Sequence, residues 1–149
     1  MKSFFNTSDS SEMIKRIEKL PSSAQKQWGK MEVAQMLAHC GRTIEMAMGI
    51  INPRRVFIGR LIGGFFKSKY TEEKPFSPDS PTSDELKVID ARDFNIEKEH
   101  LIQRIKDFSN GGEDTCTKRP HPFFGKLTPS DWGIGMYKHL DHHLRQFGG

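Results

Sequence analysis

The sequence predicts an all-α protein: a four-helix bundle with a long crossover between its second and third helices. Four segments carry apolar residues at the three- and four-residue spacing of a helix that buries one face. Each segment begins or ends at a cluster of proline, glycine or small polar residues. No part of the chain reads as strand-rich, so helices that pack on one another are the economical architecture.

The first two helices are predicted from their apolar stripes. The first covers about residues 11–20 and ends at Pro21 and two serines. The second covers about residues 30–51, where two stripes step by three and four residues, and we expect it to end at Asn52-Pro53. His39 lies in the middle of one of these stripes.

A long crossover is predicted for residues 53–92, where the helical pattern weakens. It holds a short helix over about residues 56–66 and a stretch rich in proline and serine at 75–83. A connection of this length in a compact domain usually covers a site or carries function.

The last two helices have clear signals. The third covers about residues 95–108 and ends in the polar, glycine-rich run 109–112. The fourth runs from residue 129 to about residue 146, because Thr128 offers an N-cap, Pro129 fits the first helical position and Asp131 follows three residues after the cap.

Length and composition indicate one domain over residues 1–149, large enough to bury a core without disulfides. We expect Cys40 and Cys116 to be free thiols, since two cysteines form at most one bridge and nothing suggests export. We find no signal-peptide pattern, and Arg60 interrupts the most apolar stretch, so a cytoplasmic protein with no membrane span is predicted.

The net charge of +4 is unevenly distributed, since residues 53–70 hold five basic side chains and no acid. Phenylalanines alternate with these basic residues, and such a segment can contact an anionic substrate, a nucleic acid or a membrane surface. We favour a solvated face of a connecting segment, and no nucleic-acid partner is expected because no nucleic-acid motif accompanies the charge.

Three histidines form a candidate metal site. His139 and His143 are four residues apart, a spacing that puts Cβ atoms on one helical face about 5–6 Å apart. Both continue the apolar stripe of the fourth helix, and His39 is the inward-facing histidine of the second. Three imidazoles leave coordination positions for water or substrate, as in catalytic metal sites. The alternative is a metal-free core with hydrogen-bonded histidines.

Other candidates carry weaker signals. Gln146 lies one helical step from His143 and is a candidate to hydrogen-bond near the ion, although a structural role at the helix end is favoured. His121 precedes the fourth helix and either approaches the mouth of the site or packs in its loop. His142 and His100 are expected at the surface. Glu32 and Glu45 are poor candidates for a general base, so the catalytic residues are not identified.

Three segments carry a family resemblance: residues 28–39, which end at His39, residues 121–127, and residues 139–146, in which two histidines precede Gln146. In their order and context they resemble the DinB/YfiT-like superfamily of metalloenzymes, in a branch described as a domain of unknown function. The resemblance implies a bundle of up-down-down-up connectivity and zinc or nickel on His39, His139 and His143. Characterised relatives include transferases and isomerases that use low-molecular-weight thiols.

Together these observations predict a metal-dependent enzyme acting on a small molecule, such as a thiol-dependent transferase or a hydrolase, and a homodimer is one candidate assembly. The alternative is a non-catalytic metal-binding or interaction protein whose basic segment contacts an anionic partner. The crossover over residues 53–92 departs from the relatives, which leaves the substrate open.

Overall fold

The regular structure of the chain is helical in the computed structural model, which describes residues 1–78, 80 and 82–149. Within these residues there is no strand, and the one β-bridge joins His121 to Gly125. The all-α prediction is confirmed. The α-helices are α1 (Thr7–Lys19), α2 (Val33–Ala47), α3 (Phe57–Ile62), α4 (Lys67–Thr71), α5 (Phe94–Gly111) and α6 (Pro129–Gln146), and 3₁₀ turns cover Gly63–Phe66, Asp84–Leu86 and Gly112–Thr115.

The four longest helices enclose one hydrophobic core. Helices α5 and α6 each pack against both α1 and α2, and α4 packs against α6. The face of each helix that carries its apolar stripe turns inward, which is why the periodicity in the sequence locates the core. The largest fully buried side chains are Phe4, Met13, Ile17, Met36, Leu37, Ile44, Leu101, Ile105, Phe108, Trp132, Met136 and Leu140.

Capping explains where the first two helices differ from prediction. Helix α1 begins earlier than expected because the Asn6 side chain accepts a hydrogen bond from the Ser8 N–H (3.0 Å). Helix α2 is shorter at both ends. It begins after Glu32, whose N–H donates to the Gln35 side chain (2.9 Å), and Gly49, with φ of 75°, terminates it before Asn52-Pro53.

The last two long helices follow the prediction more closely. Helix α5 runs three residues past Phe108, because the chain leaves the helix only at Gly112, where φ is 63°. Helix α6 has the predicted bounds, and its capping box is present. The Thr128 hydroxyl accepts from the Asp131 N–H (3.1 Å), and the Asp131 carboxylate accepts from the Thr128 N–H (2.8 Å).

The crossover contains more helix than the sequence predicts. The expected helix over residues 56–66 is an α-helix that tightens into a 3₁₀ turn at Gly63–Phe66, and α4 follows it at once. Tyr70, the one buried residue of α4, packs against α6. In the predicted stretch 75–83, residues 79 and 81 lie outside the described part of the chain. No helix in the described residues has the length and apolarity needed to cross a membrane.

Two adjacent glycines of the crossover can test whether it packs closely against the loop that contains Phe123. A Cβ at Gly63 would overlap the Phe123 carbonyl, whereas a Cβ at Gly64 meets nothing within 4 Å. Gly63→Ala should therefore destabilise the protein by about 1–3 kcal/mol through overpacking. Gly64→Ala, the matched control, should be neutral or slightly stabilising, since alanine loses less backbone entropy on folding. Urea denaturation measures both, and equal effects would mean that the crossover does not pack on the Phe123 loop.

Candidate metal centre

Three histidines from two helices lie close together between α2 and α6. His39 lies in α2, and His139 and His143 lie one turn apart in α6, on the face that packs against α2. Their ring centroids are separated by 5.0, 4.9 and 4.6 Å. One nitrogen from each ring lies within 4.8 Å of the corresponding nitrogens of the other two. The structure therefore brings together the three residues that the sequence singled out.

The outer nitrogens of two of these rings are already committed. His39 Nδ1 lies 2.8 Å from the Leu86 carbonyl oxygen, which can only accept, so this nitrogen carries the proton. His143 Nδ1 lies 2.9 Å from Gln146 Oε1. The Gln146 amide nitrogen donates to the Trp28 carbonyl (2.7 Å), so the amide oxygen faces His143 and accepts from it. In a neutral ring the proton on Nδ1 leaves a lone pair on Nε2.

His139 completes the set through Thr43. The Thr43 hydroxyl donates to the Cys40 carbonyl (2.8 Å) and lies 3.4 Å from His139 Nδ1. With its own hydrogen engaged, the hydroxyl accepts from Nδ1–H and leaves the His139 Nε2 lone pair inward. This contact is longer than the other two, so His139 is the ring with the most freedom to change tautomer.

Burial keeps the three imidazoles neutral. His39 and His143 are 2% and 8% exposed, and His139 is partly exposed. Removal from water lowers the pKa of His39, opposed by its hydrogen bond to Leu86. It lowers the pKa of His143 to about 3, with His39 contributing. The pKa of His139 is held well below its ordinary value by burial and by the neighbouring histidines. Protonation inside this cluster is therefore unfavourable.

The cluster fits a metal ion in its donor chemistry and spacing. His39 Nε2 and His139 Nε2 are 3.2 Å apart. Two nitrogens bound ~2.0–2.1 Å from one tetrahedral ion lie about 3.3–3.4 Å apart. Two inward lone pairs at this separation repel unless a cation lies between them or one ring takes the other tautomer and donates. Neutral imidazoles held by outer hydrogen bonds are also the form in which histidine binds metals.

A family model described as a protein of unknown function (DUF1569) matches residues 3–148, nearly the whole chain. The chain belongs to the DUF1569 family. This confirms the expected relation to a domain of unknown function, and the wider link to the DinB/YfiT-like superfamily remains a prediction. Comparisons with curated proteins and with solved structures found no match.

In this DUF1569 chain His121 packs in its loop, outside the cluster. Its ring contacts Tyr70, Phe124 and Trp132, with centroids 5.4, 4.8 and 5.6 Å away. Its Nδ1 accepts hydrogen bonds from the backbone N–H groups of Phe123 (3.0 Å) and Phe124 (3.2 Å). Burial and the nearby Arg55 lower its pKa to about 3, so it is a neutral group that orders the loop.

Two further histidines contact more of the protein than expected. His142 is half-buried, and its ring lies 5.6 Å from Trp28, 6.1 Å from Phe76 and 5.2 Å from His143. His100 is partly exposed and lies 3.1 Å from the Glu45 carboxylate. Neither belongs to the group of three that can share an ion within the described residues.

The two carboxylates weighed as general bases are engaged elsewhere. Glu32 pairs with Lys26, and Glu45 accepts from Arg104 (3.0 Å). Both were poor candidates for a general base in the sequence, and their ion pairs agree with that prediction.

The cysteines of the DUF1569 chain are free thiols, as predicted. Burial raises the pKa of Cys40 strongly and that of Cys116 to about 12. Both therefore stay protonated near neutral pH and are poor ligands or nucleophiles.

Sequence reasoning missed three groups that orient the histidines. Thr43 lies four residues after His39, and this spacing was a usable signal that the two side chains share a helical face. The carbonyls of Leu86 and Trp28 carried no signal, because any residue supplies a carbonyl and only the folded crossover and α2 entry bring these two to the site. Gln146 was singled out, and it contacts His143 directly.

Proposed function

We propose that this chain binds one divalent transition metal ion, zinc or nickel, on His39, His139 and His143, and that it is a metal-dependent enzyme acting on a small molecule. The observation that carries the proposal is the convergence of three imidazoles whose outer nitrogens face Leu86, Gln146 and Thr43. Buried histidines that serve only to pack the core have no reason to direct their ring nitrogens at one shared point. Here the outer contacts leave all three Nε2 lone pairs available to the same ion.

The residues present favour chemistry that needs no protein carboxylate. A bound ion of this class lowers the pKa of a coordinated water or thiol toward neutrality, which is the chemistry it would supply. The group that can share an ion consists of histidines alone among the described residues, and Glu32 and Glu45 are paired elsewhere. A small thiol has a pKa near ~8.5 and can lose its proton to solvent, whereas hydrolysis gains more from a positioned base. We therefore favour a thiol-dependent transferase over a hydrolase.

The protein's own groups have separate tasks in this proposal. His39 and His143 are held rigidly by Leu86 and by the Gln146–Trp28 pair, so they fix where a ligand binds. His139 is partly exposed, which makes its side of the cluster the natural approach for a small molecule. The surrounding buried side chains exclude water and strengthen electrostatic interactions inside the site.

We also propose that the DUF1569 family is a branch of the DinB/YfiT-like superfamily, with a single bundle domain of up-down-down-up connectivity. The arrangement in which α5 and α6 each pack on both α1 and α2 supports this, as do the histidine segments. A homodimer, a cytoplasmic location and the absence of a nucleic-acid partner stay predictions. Gel filtration with light scattering tests the dimer.

Metal analysis of protein purified without a histidine tag tests the proposal. We expect about one equivalent of zinc or nickel to survive dialysis, and Co²⁺ to replace it with visible absorption typical of low-coordinate nitrogen ligation. Failure to retain any metal after loading and dialysis would leave the histidines as a metal-free core and overturn the proposal.

A second measurement separates the enzyme from a metal-binding protein without catalysis. The cobalt protein is titrated with low-molecular-weight thiols, and the metal-loaded protein is then assayed with those thiols against a panel of electrophiles. A thiol-dependent spectral change with turnover supports the transferase. Metal retention without thiol binding or turnover would contradict it and leave the non-catalytic alternative.

A further inference from the structure

We infer that a cavity between the end of α2 and the loop at residues 117–122 is a binding site for a compact anion, a phosphate or carboxylate group. The cavity has a volume of about 260 Å³ and lies outside the histidine cluster. Its walls include Arg54, Arg55, Arg119 and Trp132. The inference does not depend on the metal, and it gives a role to part of the basic segment 53–70.

The lining of this cavity is basic. Three arginines line it, and among the residues that the structure describes no acidic side chain does. None of the three forms an ion pair with another residue in the described ranges 1–78, 80 and 82–149, whereas arginines elsewhere, such as Arg16 and Arg104, have carboxylate partners. Glu85 approaches Arg54 but accepts from its backbone N–H (3.0 Å) and not from its guanidinium. Arginine side chains without a carboxylate partner, as on the wall of this cavity, are a common means of binding phosphate or carboxylate.

Buried donors in the wall also lack acceptors. Trp132 is 1% exposed, and its indole Nε1 has no hydrogen-bond partner among the described residues. The same holds for Arg55 Nε, which is buried too. Buried N–H groups are nearly always satisfied, so a ligand that accepts hydrogen bonds suits these two residues of the wall; buried donors of Trp28, Arg42 and Tyr70 also lack partners elsewhere in the described residues. An anion supplies several acceptor oxygens at once.

One guanidinium and the two loops of this site are restrained before any ligand arrives. Arg55 donates through Nη2 to the Gly59 carbonyl (3.3 Å), which holds its guanidinium in place. Pro53, Pro120 and Pro122 also line the cavity, and their fixed φ angles limit the freedom of both surrounding loops. Preorganised donors lose less entropy on binding, so a small anion can bind measurably despite its size.

The cavity adjoins the histidine cluster along α2. Met46 lines it and lies three residues after Thr43, the residue that contacts His139. An anionic group bound here lies beside the helix that carries His39, about one turn from the Thr43 contact. The anion can be free or part of a larger molecule, and the chemistry of recognition is the same.

Isothermal titration of the 149-residue chain with inorganic phosphate and with succinate tests the inference, with chloride holding the ionic strength constant. We expect saturable binding of at least one anion. Tighter binding of phosphate would indicate a phosphoryl ligand, and tighter binding of succinate a carboxylate ligand. Saturable binding of neither anion at millimolar concentration would overturn the inference.

Matched charge variants locate the binding. Arg119→Gln and Arg55→Gln should each weaken anion binding by about 10-fold or more, because each removes a charged donor. Arg60→Gln is the control, since Arg60 is an exposed member of the same basic segment and does not line the cavity. Trp132→Phe keeps an aromatic side chain, although a smaller one than the buried indole, and removes Nε1, so it should also weaken binding. Equal weakening by Arg60→Gln would show general charge attraction and refute a built site.

Discussion

His39→Ala, His139→Ala and His143→Ala should each abolish stoichiometric metal binding, with a loss of affinity of at least about 100-fold. Structural zinc sites bind with roughly 10–16 kcal/mol shared over their ligands, so removing one of three protein ligands costs several kcal/mol. Equilibrium dialysis followed by metal analysis measures the loss. If any one of the three variants bound metal as tightly as the parent protein, that histidine would not be a ligand.

The control for these variants is His142→Ala. The ring of His142 lies 5.2 Å from that of His143, so the substitution disturbs the neighbourhood of the cluster without removing one of its three members. Metal binding should stay stoichiometric. Circular dichroism of each variant establishes that the helices are intact, which separates loss of a ligand from loss of the fold.

Gln146→Leu probes the support of His143. It removes the acceptor of His143 Nδ1–H and the hydrogen bond to the Trp28 carbonyl. Substitution of groups that orient a metal ligand typically costs 10–100-fold in affinity. We therefore expect Gln146→Leu to bind metal more weakly than the parent and more tightly than His143→Ala. Unchanged affinity would assign Gln146 a role only at the helix end.

The fold was predictable where helices have strong local signals. The start of helix α6 was predicted to the residue, because Thr128 and Asp131 fix it through the hydrogen bonds of a capping box and Pro129 fits the first helical position. Helix α2 was predicted too long, because the apolar stripe continues beyond Gly49, where the backbone turns left-handed. Periodicity reports which side of a segment is buried, and it does not report where the backbone leaves the helix.

The three histidines were predictable because their burial follows from the same stripes. Their hydrogen-bond partners were predictable only in part. Gln146 is close in sequence to His143, whereas the Leu86 carbonyl reaches His39 across 47 residues of chain. The cavity lined by Arg54, Arg55 and Arg119 was beyond sequence reasoning as well, since Arg119 joins the other two only when the loop at 117–122 packs beside the end of α2.

The metal-free protein should lose stability steeply as the pH falls from about 6.5 to about 5. The histidine pKa values determine the sign. Burial lowers the pKa of His121 and of His143 to about 3 in the folded state, while in the unfolded chain both titrate near ~6.5. Below that pH the unfolded state binds more protons than the folded state, so protons favour unfolding. The stabilising effect of the neutral histidines is complete above the unfolded pKa and is lost below it.

The expected magnitude is large enough to measure. At pH ~5 each of these two histidines disfavours the folded state by about 2 kcal/mol, or roughly 4 kcal/mol together. His39 and His139, whose pKa values are also lowered, add to this. A domain of this size has a free energy of unfolding of about 5–15 kcal/mol, so protonation of these histidines in the unfolded state removes a large part of it at pH ~5. Urea denaturation at a series of pH values measures the free energy of unfolding directly.

A variant and the metal distinguish this account from general acid denaturation. His121→Phe removes one titrating group outside the cluster. Between pH ~6.5 and ~5 its free energy of unfolding should therefore fall less steeply than that of the parent, because unfolding takes up about one proton fewer. The gain in melting temperature on adding metal should persist through pH ~6, because the folded metal-free histidines are still neutral and protons do not yet compete with the ion. From the sequence alone, histidines of ordinary pKa would lose that gain near pH ~6.5. If the gain disappeared there, or if His121→Phe kept the parent's slope, the lowered pKa values of the buried histidines would be wrong.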